Sequence, residues 1–169
     1  IFPSNIQGLP TWYEMRVSAD SWLGRRGGCD MMVAMNPQTW DRDVAEIDPG
    51  GYLVYDSTKP LPRSSLRDDI VVLGIPLTQI CSREYSDPRQ RLLFKNIMYV
   101  GALTALMDMD FAVVQSLISE QYQGKEKLID ANVRALRLGW EFARAELPCP
   151  IGLRIEQADA VGQRIFIDG

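Results

Sequence analysis

The sequence predicts an α/β fold in which a mostly parallel sheet is followed by a helical C-terminal half, and three observations carry that prediction. Short apolar runs at Cys29 to Asn36, Tyr52 to Tyr55 and Asp69 to Pro76 are bounded by turn residues, as strands buried in a parallel sheet are. A stretch opened by Asn36-Pro37 separates the first two runs, which makes strand, helix, strand at βαβ spacing. From Asp87-Pro88 to Pro148 the apolar residues instead recur at helical spacing.

The elements follow in order. Thr11 to Ser18 alternates apolar and polar side chains from Trp12 to Arg16 and is rich in aromatic and branched residues, so a half-buried strand is expected there. Gly24-Arg25-Arg26-Gly27-Gly28 supplies a turn, and Cys29 to Asn36 reads as a strand buried on both faces. Asn36 suits a helix N-cap, Pro37 the first turn, and Asp41 and Asp43 the positive end of a helix running to about Ile47. Pro49-Gly50-Gly51 is expected to break the chain before the strand Tyr52 to Tyr55, which ends at Asp56-Ser57. A connection with Pro60 and Pro62 leads to the third strand and a short helix from Leu77 to Arg83. The economical architecture is a doubly wound, Rossmann-like sheet.

Three helices complete the pattern. The first spans Arg89 to Met107, with Leu92, Leu93, Ile97, Val100, Leu103 and Leu106 at helical spacing and Gly101, Ala102 and Ala105 leaving room for a close neighbour. Asp110 is placed to cap a second helix through Tyr122, and a third runs from Glu126 to about Leu147, where Pro148 and Pro150 end it. Residues 1–150 are expected to form the α/β domain and residues 151–169 a linker with a short strand. The chain opens on Ile1-Phe2-Pro3, with neither an initiator methionine nor a targeting pattern, and closes on the apolar Arg164 to Gly169, so it is expected to be a piece of something longer.

Composition narrows the chemistry. A chain of 169 residues with 46% apolar side chains holds enough material for a core without disulfide or metal staples. The absence of histidine removes the usual neutral-pH base and the commonest metal ligand, which excludes Ser-His-Asp triads and histidine zinc sites. Cys29, Cys81 and Cys149 form no C-x-x-C, so no metal site is read locally, and their odd, sparse number suits a reducing cytoplasm. A formal charge of −4 argues against nucleic acid as a partner, and no apolar run approaches the roughly 20 residues needed to span a bilayer.

Several constellations carry both a functional and a purely structural reading. Gly27-Gly28 with Arg25 and Arg26 either grips an anion such as phosphate or is a basic turn before a strand. Its glycines precede the strand, the wrong side for a dinucleotide fingerprint. Asn36 and Gln38, with Asp56 and Ser57, lie where parallel strands end, the edge at which open α/β sheets bind ligands. Asn36 is equally explained as an N-cap and Asp56 as a turn former. Asn5, Gln7 and Gly8 belong to a polar loop that is either a connection or a partner surface. Glu14, Glu46, Asp108 and Asp110 are not spaced for acid–base work, and Met31, Met32 and Met35 read as core. No complete catalytic apparatus is assembled, and no metal ligands are assigned.

The residues from Ser4 to Ser18, Leu23-Gly24-Arg25-Arg26, Val33 to Thr39 with Asp43-Val44 and Gly50-Gly51, and Asn96 to Leu103 together resemble the gamma-type domain of 2-oxoacid:ferredoxin oxidoreductases. The likeness runs through most of the chain and is nearest the form fused ahead of the alpha domain in 2-oxoglutarate:ferredoxin oxidoreductase. Residues 164–169 resemble the lead-in to that alpha domain. The family's domain opens with a strand, a glycine-rich turn and a helix, and no counterpart of that unit precedes Ile1 here.

The resemblance implies oxidative decarboxylation of a 2-oxo acid with coenzyme A, giving an acyl-CoA, carbon dioxide and reduced ferredoxin. Thiamine diphosphate, magnesium and a 4Fe–4S cluster would then belong to alpha and beta parts, with none held by this segment. Its implied partners are the alpha domain, in the same chain, and a beta subunit, with ferredoxin and coenzyme A at the level of the complex. Arg25 and Arg26 become candidates for coenzyme A phosphate, and Asn5, Gln7 and Gly8 for a domain interface. The rival expectations are a free-standing α/β domain that binds a nucleotide or small ligand, and a pure assembly module.

Overall fold

The computed structural model describes residues 10–18, 24 and 26–155. These residues fall into two compact units, one within Ile1–Tyr55 and Pro60–Gly74, the other within Asp56–Lys59 and Ile75–Gly169.

The first unit is built on a parallel sheet of three strands in the order β1-β2-β3, where β1 is Cys29–Ala34, β2 is Ile47–Asp56 and β3 is Val71–Ile75. Helix α1, Trp40–Ala45, joins β1 to β2. Its core gathers Ala34, Trp40, Val44, Ile47, Leu53 and Ile70, with the ring of Trp40 edge-on to Tyr55 at 5.7 Å. The α/β class and the parallel sheet expected from the sequence are both present. The connection from β2 to β3 is not helical, since Pro60 and Pro62 lack the N–H groups a helix needs. It holds a single 3-10 turn at Arg63–Ser65, which the Ser65 hydroxyl ties to α1 by donating to Asp41 Oδ1 at 2.5 Å. Within this unit both crossovers therefore run on the α1 side, and the doubly wound pattern expected from the sequence is not formed there.

Four boundaries differ from expectation, each for a local reason. Residues 10–18 form no strand; instead Trp12 is anchored on α1, its indole N–H donating to Asp43 Oδ1 at 2.7 Å and its ring stacked under the Arg42 guanidinium at 4.0 Å. Helix α1 starts at Trp40 and not at Pro37, because the Asn36 side chain closes a turn on the Gln38 amide at 3.0 Å and Thr39 becomes the N-cap. Pro49-Gly50-Gly51 does not break β2 but bulges it, so that between the pairs Cys29↔Ile47 and Met31↔Tyr52 the second strand carries extra residues. Gly50 takes φ +82° there, and its amide donates to the Asp69 carbonyl at 2.6 Å. Finally, β1 and β3 are only partly covered: Met31, Met32 and Val33 are half-buried, and Val71 and Val72 are exposed.

The second unit holds α2 (Leu77–Glu84), α3 (Pro88–Leu106), α4 (Phe111–Gln121) and α5 (Glu126–Glu146), close to the expected bounds. Asp87 and Asp110 cap α3 and α4 by accepting from the amides of Arg89 and Ala112 at 2.9 and 2.8 Å. Helices α3 and α5 pack antiparallel at backbone contact. A Cβ at Gly101 would fall on the Leu136 carbonyl, and one at Gly139 on the Met98 carbonyl. Around this seam Met98, Ala102, Ala135, Leu136 and Ala143 are fully buried. Residues 151–155 carry no strand, but the Ile151 amide donates to the Leu106 carbonyl at 2.8 Å, and the expected strand beyond lies outside the described residues.

Candidate functional site

Each candidate residue can be followed to its place. Asn36 and Gln38 sit in the turn just after β1, where the Asn36 carbonyl also accepts from the amide and hydroxyl of Thr39, at 3.1 and 3.0 Å. The strand end thus uses Asn36 on its own backbone, as Asn commonly does in turns. Arg26, at the glycine turn before β1, donates to Asp48 Oδ2 at 2.6 Å and to Asp30 Oδ1 at 3.2 Å. Hydrogen bonding to Asp30 is the chief cause that raises its pKa, followed by the charges of Asp30 and Asp48. An anion arriving here would compete with two carboxylates for one guanidinium. Gly28, at φ +66°, is needed beside them, because a Cβ would overlap the Asp48 carboxylate. Arg25, Asn5, Gln7 and Gly8 lie outside the described residues.

The most developed polar cluster belongs to the second unit, around Asp56 and the N-terminus of α2. Asp56 is buried and accepts from the backbone amides of Thr58 and Thr78, both at 3.2 Å, and from the Thr78 hydroxyl. Lys95 Nζ lies 3.7 Å from Asp56 Oδ2 and donates to Thr78 Oγ1 at 3.5 Å, while Thr58 Oγ1 accepts from the Gln79 amide at 3.1 Å. Burial by itself would raise the Asp56 pKa; the hydrogen bonds from Thr78 and Thr58 outweigh it and hold the carboxylate below its ordinary range. Ser57 takes part through its backbone, its amide donating to the Ile75 carbonyl at 3.0 Å.

This cluster explains how α2 begins without a side-chain cap of its own. Pro76 occupies the N-cap position and has no hydroxyl or carboxylate to offer. Asp56 and Thr58 supply the cap from another part of the chain, filling with an internal carboxylate the position where a helix N-terminus would otherwise receive an anion. Sequence reading singles out Asp56 but not Thr58, Thr78 or Lys95, since the partners stand up to 39 residues further on and no local motif joins them.

The three thiols are a poor donor set for a cluster or a divalent ion. Iron–sulfur ligation needs thiolates. Burial is the leading cause that raises all three thiol pKa values, and it pushes Cys81 up to about 11. Cys149 Sγ donates to the Ala105 carbonyl at 3.1 Å, as a protonated thiol does, and Cys29 Sγ faces the Glu46 carbonyl at 3.7 Å. Among the described residues no group of three or more Cys, Asp or Glu side chains could hold a metal ion, and no helix is long and apolar enough to cross a membrane.

Comparison with known proteins places this geometry in a family. The profile of the pyruvate ferredoxin/flavodoxin oxidoreductase family matches residues 1–142. Among curated relatives, the ketoisovalerate oxidoreductase subunit VorA of Methanothermobacter thermautotrophicus is 29% identical over 118 residues, covering 70% of this chain and 24% of that protein. The 2-oxoglutarate synthase subunit KorC of Archaeoglobus fulgidus is 27% identical over 115 residues, 68% of this chain and 54% of that one. The chain thus spans about a quarter and about half of these two relatives. In fold it is similar to the 2-oxoglutarate:ferredoxin oxidoreductase of Magnetococcus marinus, solved with 2-oxoglutarate, coenzyme A and succinyl-CoA bound, at TM-score 0.66 and 23% identity over 80% of this chain and 23% of that one. The gamma subunit of a keto/oxoacid ferredoxin oxidoreductase from Geobacter sulfurreducens gives TM-score 0.53 and 23% identity, over 69% of this chain and 65% of that one. With the profile running through β1, the sheet and all but the end of α5, the chain belongs to the pyruvate ferredoxin/flavodoxin oxidoreductase family.

Proposed function

We propose that this chain is the gamma-type part of a 2-oxoacid:ferredoxin oxidoreductase that takes 2-oxoglutarate. The complex would convert the acid and coenzyme A to an acyl-CoA and carbon dioxide, passing two electrons to ferredoxin. The observation that carries the reading is the family match over residues 1–142, joined to relatives that include 2-oxoglutarate synthase subunits. Thiamine diphosphate supplies carbanion chemistry in such reactions. The protonated thiols and the missing histidine of this chain suit a division of labour in which thiamine diphosphate, magnesium and the 4Fe–4S cluster are held by alpha and beta parts. The task left to this chain is to pack against those parts in a cytoplasmic complex.

The finer assignments belong to the same proposal. Asn5, Gln7 and Gly8 contribute to the interface with the alpha part, and Asn36, Gln38, Asp56 and Ser57 mark the strand-end edge. Arg25 and Arg26 contact coenzyme A phosphate, for which Arg26 must exchange its partners Asp30 and Asp48. Protection of these arginines from a guanidine-modifying reagent by coenzyme A tests that contact, and equal modification with and without coenzyme A removes it.

Reconstitution tests the whole. Alpha and beta parts assembled with this chain are expected to reduce ferredoxin only when 2-oxoglutarate and coenzyme A are both supplied, and faster than with pyruvate or 2-oxoisovalerate. Omission of the chain should abolish turnover. Oxidation of a 2-oxo acid by the isolated chain, or full activity without it, would overturn the proposal.

A further inference from the structure

Among the described residues the three most exposed large apolar side chains are Tyr13, Met15 and Val17, at 87, 76 and 70%. They alternate along one segment, as the side chains on one face of a strand do. The intervening positions hold the segment to its own unit: Trp12 through Asp43 and Arg42, and Arg16 by donating to the Gly24 carbonyl. The sequence of Trp12 to Val17 has the period and the aromatic and branched content of a half-buried strand, yet no strand pairs with it among the described residues. Local propensity and observed state disagree here. A clustered apolar row on an anchored segment is the surface signature of a docking site and, left bare, of an aggregation hazard.

We infer that Trp12–Val17 becomes a β-strand on assembly, pairing with an edge strand of a partner that presents alternating apolar side chains to Tyr13, Met15 and Val17. The partner is the alpha-type part of the complex, and this rests on the function proposed above. Its support is the length of the relatives: the matched region is 28% of the 2-oxoacid:ferredoxin oxidoreductase subunit alpha of Aeropyrum pernix and 24% of VorA, so in those chains most of the polypeptide lies outside it. Strand addition of this kind takes affinity from main-chain hydrogen bonds and specificity from alternate side chains. Trp12, with its anchor on α1, fixes where the strand begins.

The test is amide hydrogen exchange on the full chain, free and in the reconstituted complex, together with a Met15→Lys variant. Slowing of exchange by at least tenfold at alternate amides between Tyr13 and Val17 in the complex supports the inference. So does an affinity for the alpha part at least tenfold weaker in Met15→Lys, with Leu92→Lys, an exposed position on α3, binding as the wild type does. Protection of α3 and α5 in each free variant shows that it has folded. If the complex forms and turns over while exchange at 13–17 is unchanged, strand docking is wrong and the proposed function stands. If the wild-type chain fails to bind the alpha part at all, the function fails and the docking with it. Concentration-dependent protection of the free chain would identify a second copy as the occupant and overturn the assignment to the alpha part.

Discussion

Replacing Gly139 with alanine tests the closest packing in the molecule. The added methyl would overlap the Met98 carbonyl and crowd the Ala102 amide, both of them backbone that cannot rotate aside. To make room, α5 must move off α3 by about 1 Å, a gap that forfeits a quarter to a half of each contact's dispersion energy. Leu136 is fully buried in that seam. A buried leucine makes about 50 contacts of ~0.15 kcal/mol each, so its share of the loss is about 2 kcal/mol. Met98 loses a similar amount, and relaxation recovers part of both, leaving roughly 3 kcal/mol at the upper end of overpacking costs. Alanine returns about 1 kcal/mol through its better helix propensity. The net expectation is a loss of about 2 kcal/mol, which lowers Tm by roughly 4–8 °C in a chain of this size. Thermal and urea unfolding followed by circular dichroism measure it. Gly101→Ala, aimed at the Leu136 carbonyl across the same seam, should cost a similar amount, and the double variant less than the sum, because the first methyl has already parted the helices. A Gly139→Ala protein melting at or above the wild-type temperature would refute the backbone contact, since propensity alone would then decide the outcome.

Three further outcomes are expected. Asp56→Asn should destabilise the chain most near neutral pH: the folded carboxyl has a lowered pKa, so its contribution is present above the unfolded value and lost as pH falls through the folded one. Urea midpoints of variant and wild type should therefore converge below about pH 4, and a constant gap from pH 7 to pH 3 would assign the effect to shape alone. Cys81, buried with a thiol pKa near 11, should resist a thiol reagent at pH 8 in the native chain and react on unfolding; prompt native labelling, read by mass spectrometry, would contradict its burial. Asp43→Ala removes the acceptor of both the Trp12 indole and the Thr39 hydroxyl, at a cost of about 1–3 kcal/mol. The indole N–H resonance of Trp12 should move to an unbound position in the NMR spectrum, and an unmoved resonance would show that Trp12 is held by other means.

How much of this was legible in the sequence depends on how far apart the deciding residues are. Helices α2 to α5 fall within about two residues of their expected bounds because capping and proline signals act over one turn: Asp87 before Pro88, Asp110 before Phe111, Pro148 after Leu147. Strands β1 and β3 were found by their apolar runs for the same reason. The misses come from competition between a local signal and a distant partner. Asn36-Pro37 is a sound helix start, but the Asn36 side chain bonds the Gln38 amide and the helix waits for Thr39. Pro49-Gly50-Gly51 is a sound break, but the carbonyl of Asp69 holds the Gly50 amide in the sheet, and glycine's freedom at positive φ turns the break into a bulge. Trp12 to Val17 is a sound strand that has no partner strand among the described residues.

The polar residues at the strand ends point the same way about function. An α/β sheet that binds a ligand at its strand ends leaves backbone amides and side chains there for the ligand to use. Here Asn36 is spent on its own turn, Asp56 fills the N-terminus of α2, and Arg26 is shared between Asp30 and Asp48. Each of these groups, read singly, is a ligand contact in waiting; read with its partners, each is a structural bond. A nucleotide phosphate at α2 would have to displace a carboxylate that accepts three hydrogen bonds and has a lysine ammonium 3.7 Å away. That occupancy weighs against the free-standing nucleotide-binding domain, which needs the helix terminus vacant. It leaves the accessory role intact, since a part that packs against a catalytic partner needs a rigid polar edge and an uncovered apolar one, and Tyr13, Met15 and Val17 supply the second.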